Sequence, residues 1–169
     1  MIGAKSFLID LDGVLYVDKV PLKGAKESIR YLDENGYSYR FLSNTTSKCR
    51  NSLAALLGEM GFDIPKERIF TPSIAAAEHI GSEQDNMCFL LTKEDVKRDF
   101  QDAGIPLAEE DADFVVIGDA EDLFTFDHLN RAFRLIMEGA ETVALEKDRC
   151  VTPDLTLESI AELRDHLHE

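Results

Sequence analysis

At 169 residues the chain has room for one domain, or for one domain carrying an insertion. Its 33 acidic residues against 18 basic ones give a net charge of −15, which opposes a nucleic acid or an anionic membrane as partner, because either needs a basic face. No apolar run approaches a transmembrane span, and the N-terminus shows no basic region followed by a long apolar stretch.

Three well-separated cysteines, Cys49, Cys88 and Cys150, make no CxxC pair and no zinc spacing. They read as reduced thiols in a cytoplasmic protein.

In chain order the pattern alternates strands with helices. "SFLIDLDGVLY" is strand-like and almost wholly apolar before its acids. "KGAKESIRYLDENG" places Ala25, Ile29 and Leu32 on one helical face, with Gly36 as a stop. "YSYRFLSNTT" is a second strand ending in polar residues, and "SLAALLGEMG" a second helix closed by Gly61. "RIFT" is a short strand, after which Thr71-Pro72 forms the cap and first turn of a helix over "SIAAAEHIG". This βαβαβα order predicts a parallel sheet with helices on its faces.

The polar stretch "GSEQDN" at 81–86 marks a boundary. Beyond it, "MCFLLT" and "DFVVIGD" are apolar strands separated by the helical "KEDVKRDFQDAG". "DHLNRAFRLIMEGA" is an amphipathic helix with Leu129, Phe133, Ile136 and Met137 as its apolar side, followed by the strand "TVALE". The tail "TLESIAELRDHLHE" predicts a last helix striped by Ile160, Leu163 and Leu167. His79 and His128 fall in predicted helices, His166 and His168 in the tail, and none makes a metal-binding pair.

The chemistry concentrates at two strand ends. Asp10 and Asp12 close the first strand, and burying even one unpaired carboxylate is costly. Gly13 follows and permits a tight turn that can bring N–H groups toward an anion. Ser43, Asn44, Thr45 and Thr46 end the second strand. In open parallel sheets ligands bind beyond the carboxyl ends of the strands. Acids alone repel phosphate, but acids with a hard divalent cation bind it. The constellation suits metal-assisted phosphoryl transfer, one carboxylate attacking phosphorus and its neighbour handling the proton. Taken singly, the DxD pair is a solvated turn and Ser43-Asn44 a strand end or a helix cap. A calcium loop counted from Asp10 fails, with Val14 where a ligand is needed, Leu15 where glycine is needed and Pro21 where glutamate is needed.

"DLDGVLYVDKVPLKGAKESIRYL" resembles the first motif of the haloacid dehalogenase (HAD) superfamily, in its C2-capped, p-nitrophenyl phosphatase-like branch. The likeness extends to the phospholysine phosphohistidine inorganic pyrophosphate phosphatase-like subgroup. "FLSNTTSK" resembles the second motif, "IFTPSIAAAEHI" the segment leading into the cap, and "ADFVVIGDAEDLFTFDHLNRAFRLIMEGAETVALEKDR" the cap. The resemblance implies an α/β fold: a Rossmann-like parallel-sheet core over residues 1–81, an inserted α/β C2-type cap over 82–150, and a C-terminal helix over 151–169 returning to the core. It implies a magnesium-dependent phosphatase acting on a small phosphorylated compound. Asp10 would be the nucleophile that becomes an aspartyl-phosphate, and a Mg2+ ligand. Asp12 would be the general acid/base, with its carbonyl on the metal. Gly13, Ser43 and Asn44 would bind the phosphoryl group.

Complete members of that family carry a third-motif lysine and a fourth-motif acid pair after the cap. Here "ALEKDR" passes into "CVTPDLTLESIAELRDHL", which resembles the C-terminus of such proteins. The missing motifs imply weak magnesium affinity and phosphatase activity far below that of a complete member. The alternative is a non-catalytic remnant that binds phosphate or a protein partner. An exposed edge on the Asp10 strand would lead to self-association or to pairing with "DFVVIGD". A short, capless enzyme using Asp119 with Lys93 or Lys97 is disfavoured, because Leu123 and Phe124 stand where a second acid would recur.

Overall fold

In the computed structural model, residues 6–82 and 85–146 are described. The expected helix over 151–169, with His166 and His168, and Cys150 lie outside the described residues. The described chain divides into two compact units: residues 6–43 with 54–70, and residues 44–53 with 71–82 and 85–146.

The first unit holds a parallel sheet of three strands in the order β1 (Ser6–Asp10), β4 (Ser38–Leu42), β5 (Ile69–Phe70). Asp10 stands opposite Leu42, and Leu42 opposite Phe70. Ile9, Tyr39, Phe41 and Ile69 point inward to a core that also takes Leu11, Leu15, Leu32 and Leu57. A hairpin not evident in the sequence, β2 (Tyr16–Val17) and β3 (Val20–Pro21), follows the acids. Its two-residue turn puts Asp18 and Lys19 in the left-handed region (φ 49° and 62°), the conformation that joins right-twisted strands most tightly. Helix α1 (Ala25–Glu34) buries Ala25, Ile29 and Leu32, the predicted stripe, together with Ser28. Gly36, at φ 69°, ends it as expected, and the Tyr37 N–H returns to Leu32 O (3.0 Å).

Helix α2 (Arg50–Glu59) spans the division between the units. In the second unit, α3 (Pro72–Ile80) starts as predicted: Pro72 occupies its first turn and the Thr71 hydroxyl accepts the Ile74 N–H. Its sheet is again parallel, in the order β6 (Cys88–Leu91), β7 (Phe114–Ile117), β8 (Glu141–Ala144). α3 and α4 (Lys97–Asp102), with the 3₁₀ turn before α4, cover one face through Ala77, Ile80, Val96 and Phe100. α5 (Phe126–Glu138) covers the other through Ala132 and Leu135, against Phe89, Leu91 and Val115.

The structure departs from two expectations. The apolar side of α5 was expected at Leu129, Phe133, Ile136 and Met137, yet Leu129, Phe133 and Met137 are exposed and only Ile136 packs inward, half-buried. The helix lays its small Ala132 and its Leu135 on the sheet, and the apolar residues at 126, 129, 133 and 137 share the outer face. The segment "DFVVIGD" does not pair with β1 among the described residues; it pairs with β6 and β8. Asp119 therefore belongs to a different sheet from Asp10, which counts against the capless arrangement. No helix among the described residues is long and apolar enough to cross a membrane. Cys49 and Cys88 are buried and free, as expected, and burial pushes the Cys88 thiol up to about 12.

Candidate active site

Asp10 is the last residue of β1, so a paired strand fixes its direction. Its Oδ1 accepts the Leu11 N–H at 2.9 Å, and Leu11, fully buried, anchors the next step of the chain. The chain then turns. Leu15 N–H donates to Leu11 O (2.9 Å), and Asp12 makes an isolated bridge with Tyr16. Gly13 makes the turn at φ 81°, a conformation a side chain would strain. Its N–H donates to Tyr16 O at 2.8 Å, so that amide is engaged inside the turn. A phosphate contact from Gly13 would have to exchange that bond.

The electrostatics follow from the spacing. Burial raises the Asp10 carboxyl above its usual range; the Leu11 N–H opposes this, and the neighbouring Asp12 charge adds to it. Tyr16, buried beside the turn, is raised by burial and by both carboxylates. The sequence reading passed over Tyr16. Its signal was available: it is the first aromatic residue after the DxDG turn.

Ser43 follows β4 directly, and its N–H donates to Phe70 O (3.0 Å). With Asp10 opposite Leu42 in a parallel pair, Ser43 lies one step beyond the same strand end. The structure thus brings Asp10, Asp12, Gly13 and Ser43 to one carboxyl edge of one sheet. Asn44, the next residue, is exposed and belongs to the second unit. Of the substitute lysines, Lys93 pairs with Glu121 (2.5 Å) and Asp119 (3.6 Å), and Lys97 with Glu94 (2.7 Å).

Two carboxylates at one strand end, one raised in part by the other, form a donor set of hard oxygens that a divalent cation would relieve. Among the described residues no group of three His, Cys, Asp or Glu side chains converges to hold a metal. A pair still fits Mg2+, which is commonly held by one or two carboxylates, with water and substrate phosphate completing its shell.

The sequence signature of the haloacid dehalogenase-like hydrolases matches residues 7–106, and the chain belongs to that family. It is 34% identical over 145 residues to haloacid dehalogenase-like hydrolase domain-containing protein 2 of Bos taurus, covering 86% of this chain and 54% of that protein. Its fold is similar to that of a 4-nitrophenylphosphatase from Thermotoga maritima, with a TM-score of 0.78 and 26% identity over 97% of this chain and 63% of that one. It is also similar to a glycerol phosphate phosphatase from Mycobacterium tuberculosis in complex with magnesium (TM-score 0.71, 26% identity, 85% of this chain and 44% of that one). The chain spans about half the length of the curated relative it matches.

Proposed function

We propose that the chain carries the nucleophile half of a magnesium-dependent phosphatase acting on a small phosphomonoester. The observation that supports this most is the shared strand end: Asp10 and Ser43 leave adjacent parallel strands at the same edge. Asp10 attacks phosphorus and forms an aspartyl-phosphate, while Asp12, two residues on, gives its proton to the leaving oxygen and later takes one from water. Ser43 and Asn44 hold the phosphoryl oxygens, and Gly13 contributes through its left-handed turn. Asp10 and Asp12 would hold Mg2+, which supplies charge neutralisation at the phosphoryl oxygens when bound. Names borne by similar proteins, a 4-nitrophenylphosphatase and a glycerol phosphate phosphatase, support a small phosphomonoester as substrate class.

The proposal extends to a cytoplasmic setting, supported by the free buried thiols of Cys49 and Cys88. It extends to association of copies through the β1 edge, beside which Leu8 is 71% exposed. Activity is expected to be weak, because the two lysines weighed for the third-motif role, Lys93 and Lys97, are both ion-paired. The test is hydrolysis of 4-nitrophenyl phosphate by this chain with and without magnesium. Magnesium-dependent turnover supports the reading. Phosphate or vanadate binding without any turnover favours the alternative, a non-catalytic phosphate-binding remnant.

A further inference from the structure

The first turn of a helix leaves N–H groups without intrahelical partners, and a Ser, Thr, Asp or Asn just before it usually accepts one of them. Helix α2 has Cys49 at that place. Its sulfur accepts the Ser52 N–H at 3.4 Å, a weak local cap, and stronger acceptors come from far along the chain. Asp95 Oδ2 accepts the Cys49 N–H at 2.9 Å, from 46 positions away. Asp99 accepts the Arg50 N–H with both carboxylate oxygens, at 3.0 and 3.2 Å. The two acids are spaced to share one face of a helical segment, the 3₁₀ turn Glu94–Val96 leading into α4.

Each carboxylate is itself held. Asp95 Oδ1 accepts the Ser52 hydroxyl at 2.8 Å. Asp99 Oδ2 accepts the Ser73 hydroxyl at 2.6 Å, and Ser73 lies 2.9 Å from the Thr71 hydroxyl that caps α3. Asp99 is 2% exposed, with Ser73 and Thr71 equally buried. At the other end of the same loop, the Thr46 hydroxyl accepts the Asp119 N–H (3.3 Å). Burial would raise Asp95, yet the bonds from Cys49 and Ser52 bring it below its ordinary range.

A buried carboxylate is a costly way to cap a helix that a local serine could cap. What the distant acids add is location. They fix the Cys49 and Arg50 amides, at the far end of the loop that leaves Ser43 and Asn44, and their negative charge suits the positive end of the α2 dipole. We propose that Asp99, with Asp95 beside it, is a positioning residue that holds the Ser43–Asn44 loop in its phosphate-binding conformation before substrate arrives. This rests on the reading of Ser43 and Asn44 as phosphate ligands. A loop held in advance need not be ordered at the moment of binding.

The test compares wild type, Asp99→Ala and Asp99→Asn in the full chain. Hydrogen exchange is followed at residues 44–50 and at α5 as an internal control, beside KM and kcat for 4-nitrophenyl phosphate with magnesium. In Asp99→Ala, exchange at 44–50 should rise about tenfold and KM about tenfold, with α5 and kcat changed less than about threefold. Asp99→Asn, whose Oδ1 can still accept the Arg50 N–H, should restore most of both. A merely structural role gives the opposite split: kcat falls with the folded fraction while KM stays put. That result, or exchange at 44–50 matching wild type, overturns the proposal. Should Asp99→Ala fail to fold, Asp95→Ala at its half-buried position carries the same comparison at the Cys49 amide. If wild type itself shows neither turnover nor vanadate binding, the phosphatase reading falls, and the exchange arm still decides whether the acids hold the loop.

Discussion

Both units are built on three parallel strands, but they bury them differently. In β6–β7–β8 successive residues enter two separate cores: Cys88 and Val116 face α3 and α4, while Phe89, Leu91 and Val115 face α5. In β1–β4–β5 the described strand residues are buried on one face only. Ile9, Tyr39 and Phe41 point in, while Ser6, Leu8 and Asp10 on β1, and Ser38, Arg40 and Leu42 on β4, point out. The sequence of β4, SYRFL, alternates as a half-covered strand should. That of β1, SFLID, does not, and Leu8 stands 71% exposed as a result. Among the described residues, the sheet that carries the candidate chemistry is therefore the less completely covered of the two, and its exposed face ends in Asp10.

The sharpest way to break this comparison is at Asp10. Asp10→Asn should lower any magnesium-dependent turnover on the order of a thousandfold, since a neutral amide is a poor nucleophile and a poor metal ligand. Initial rates with 4-nitrophenyl phosphate check it, and an Asn variant that keeps its rate removes Asp10 from the chemistry.

Next comes burial itself. Phe100→Ala empties a fully buried site under the second sheet and should destabilise that unit by about 3–5 kcal/mol. Leu8→Ser on the open face should change stability by less than about 0.5 kcal/mol. Urea unfolding of the two variants measures the contrast, and equal losses would mean that Leu8 is covered in solution.

Covering by a second copy is tested separately. Sedimentation of the wild type at rising concentration should show association, and Leu8→Lys should weaken it, because a charge beside an open strand edge opposes pairing. A wild type that stays monomeric throughout contradicts the edge-pairing expectation.

The smallest effect concerns pH. Burial, with the charge of Asp12, raises Asp10 in the folded state. A carboxyl raised on folding holds its proton in the native state after the unfolded chain has released it. Stability is therefore lost as pH rises from the unfolded value through the folded one. Asp10→Asn removes that penalty, so at neutral pH its melting temperature should exceed wild type by about 2 °C, with the gap closing in acid. Magnesium should stabilise the wild type and leave the variant unchanged.

What the sequence made legible was local. Gly36, Gly61 and Thr71-Pro72 punctuate the helices where their conformational preferences say they should. The apolar runs ending in Asp10 and Ser43 read as strands of a parallel sheet, and they pair in one. What stayed illegible depends on partners distant in sequence. The carboxylates that accept the Cys49 and Arg50 N–H groups at the start of α2 could not be found near Cys49, because they belong to Asp95 and Asp99. The orientation of α5 was misread because its most apolar stripe faces out, and Ala132, too small to weigh in a periodicity, marks the true inner face. The hairpin at Asp18-Lys19 lacks the Asn-Gly or Asp-Gly pair that usually announces such a turn. The bond from Gly13 to Tyr16 O, which engages the amide first assigned to phosphate, is a tertiary detail of the turn with no sequence signature.

The central claim is that a phosphoryl group is received at Asp10. The most direct measurement is fluorine NMR of beryllofluoride, a phosphoryl mimic, with magnesium and this chain, beside Asp10→Asn and Asp119→Asn. A bound, magnesium-dependent signal that persists in Asp119→Asn and disappears in Asp10→Asn is the predicted result. A signal that survives in Asp10→Asn and is lost in Asp119→Asn would contradict it and move the site to the end of β7.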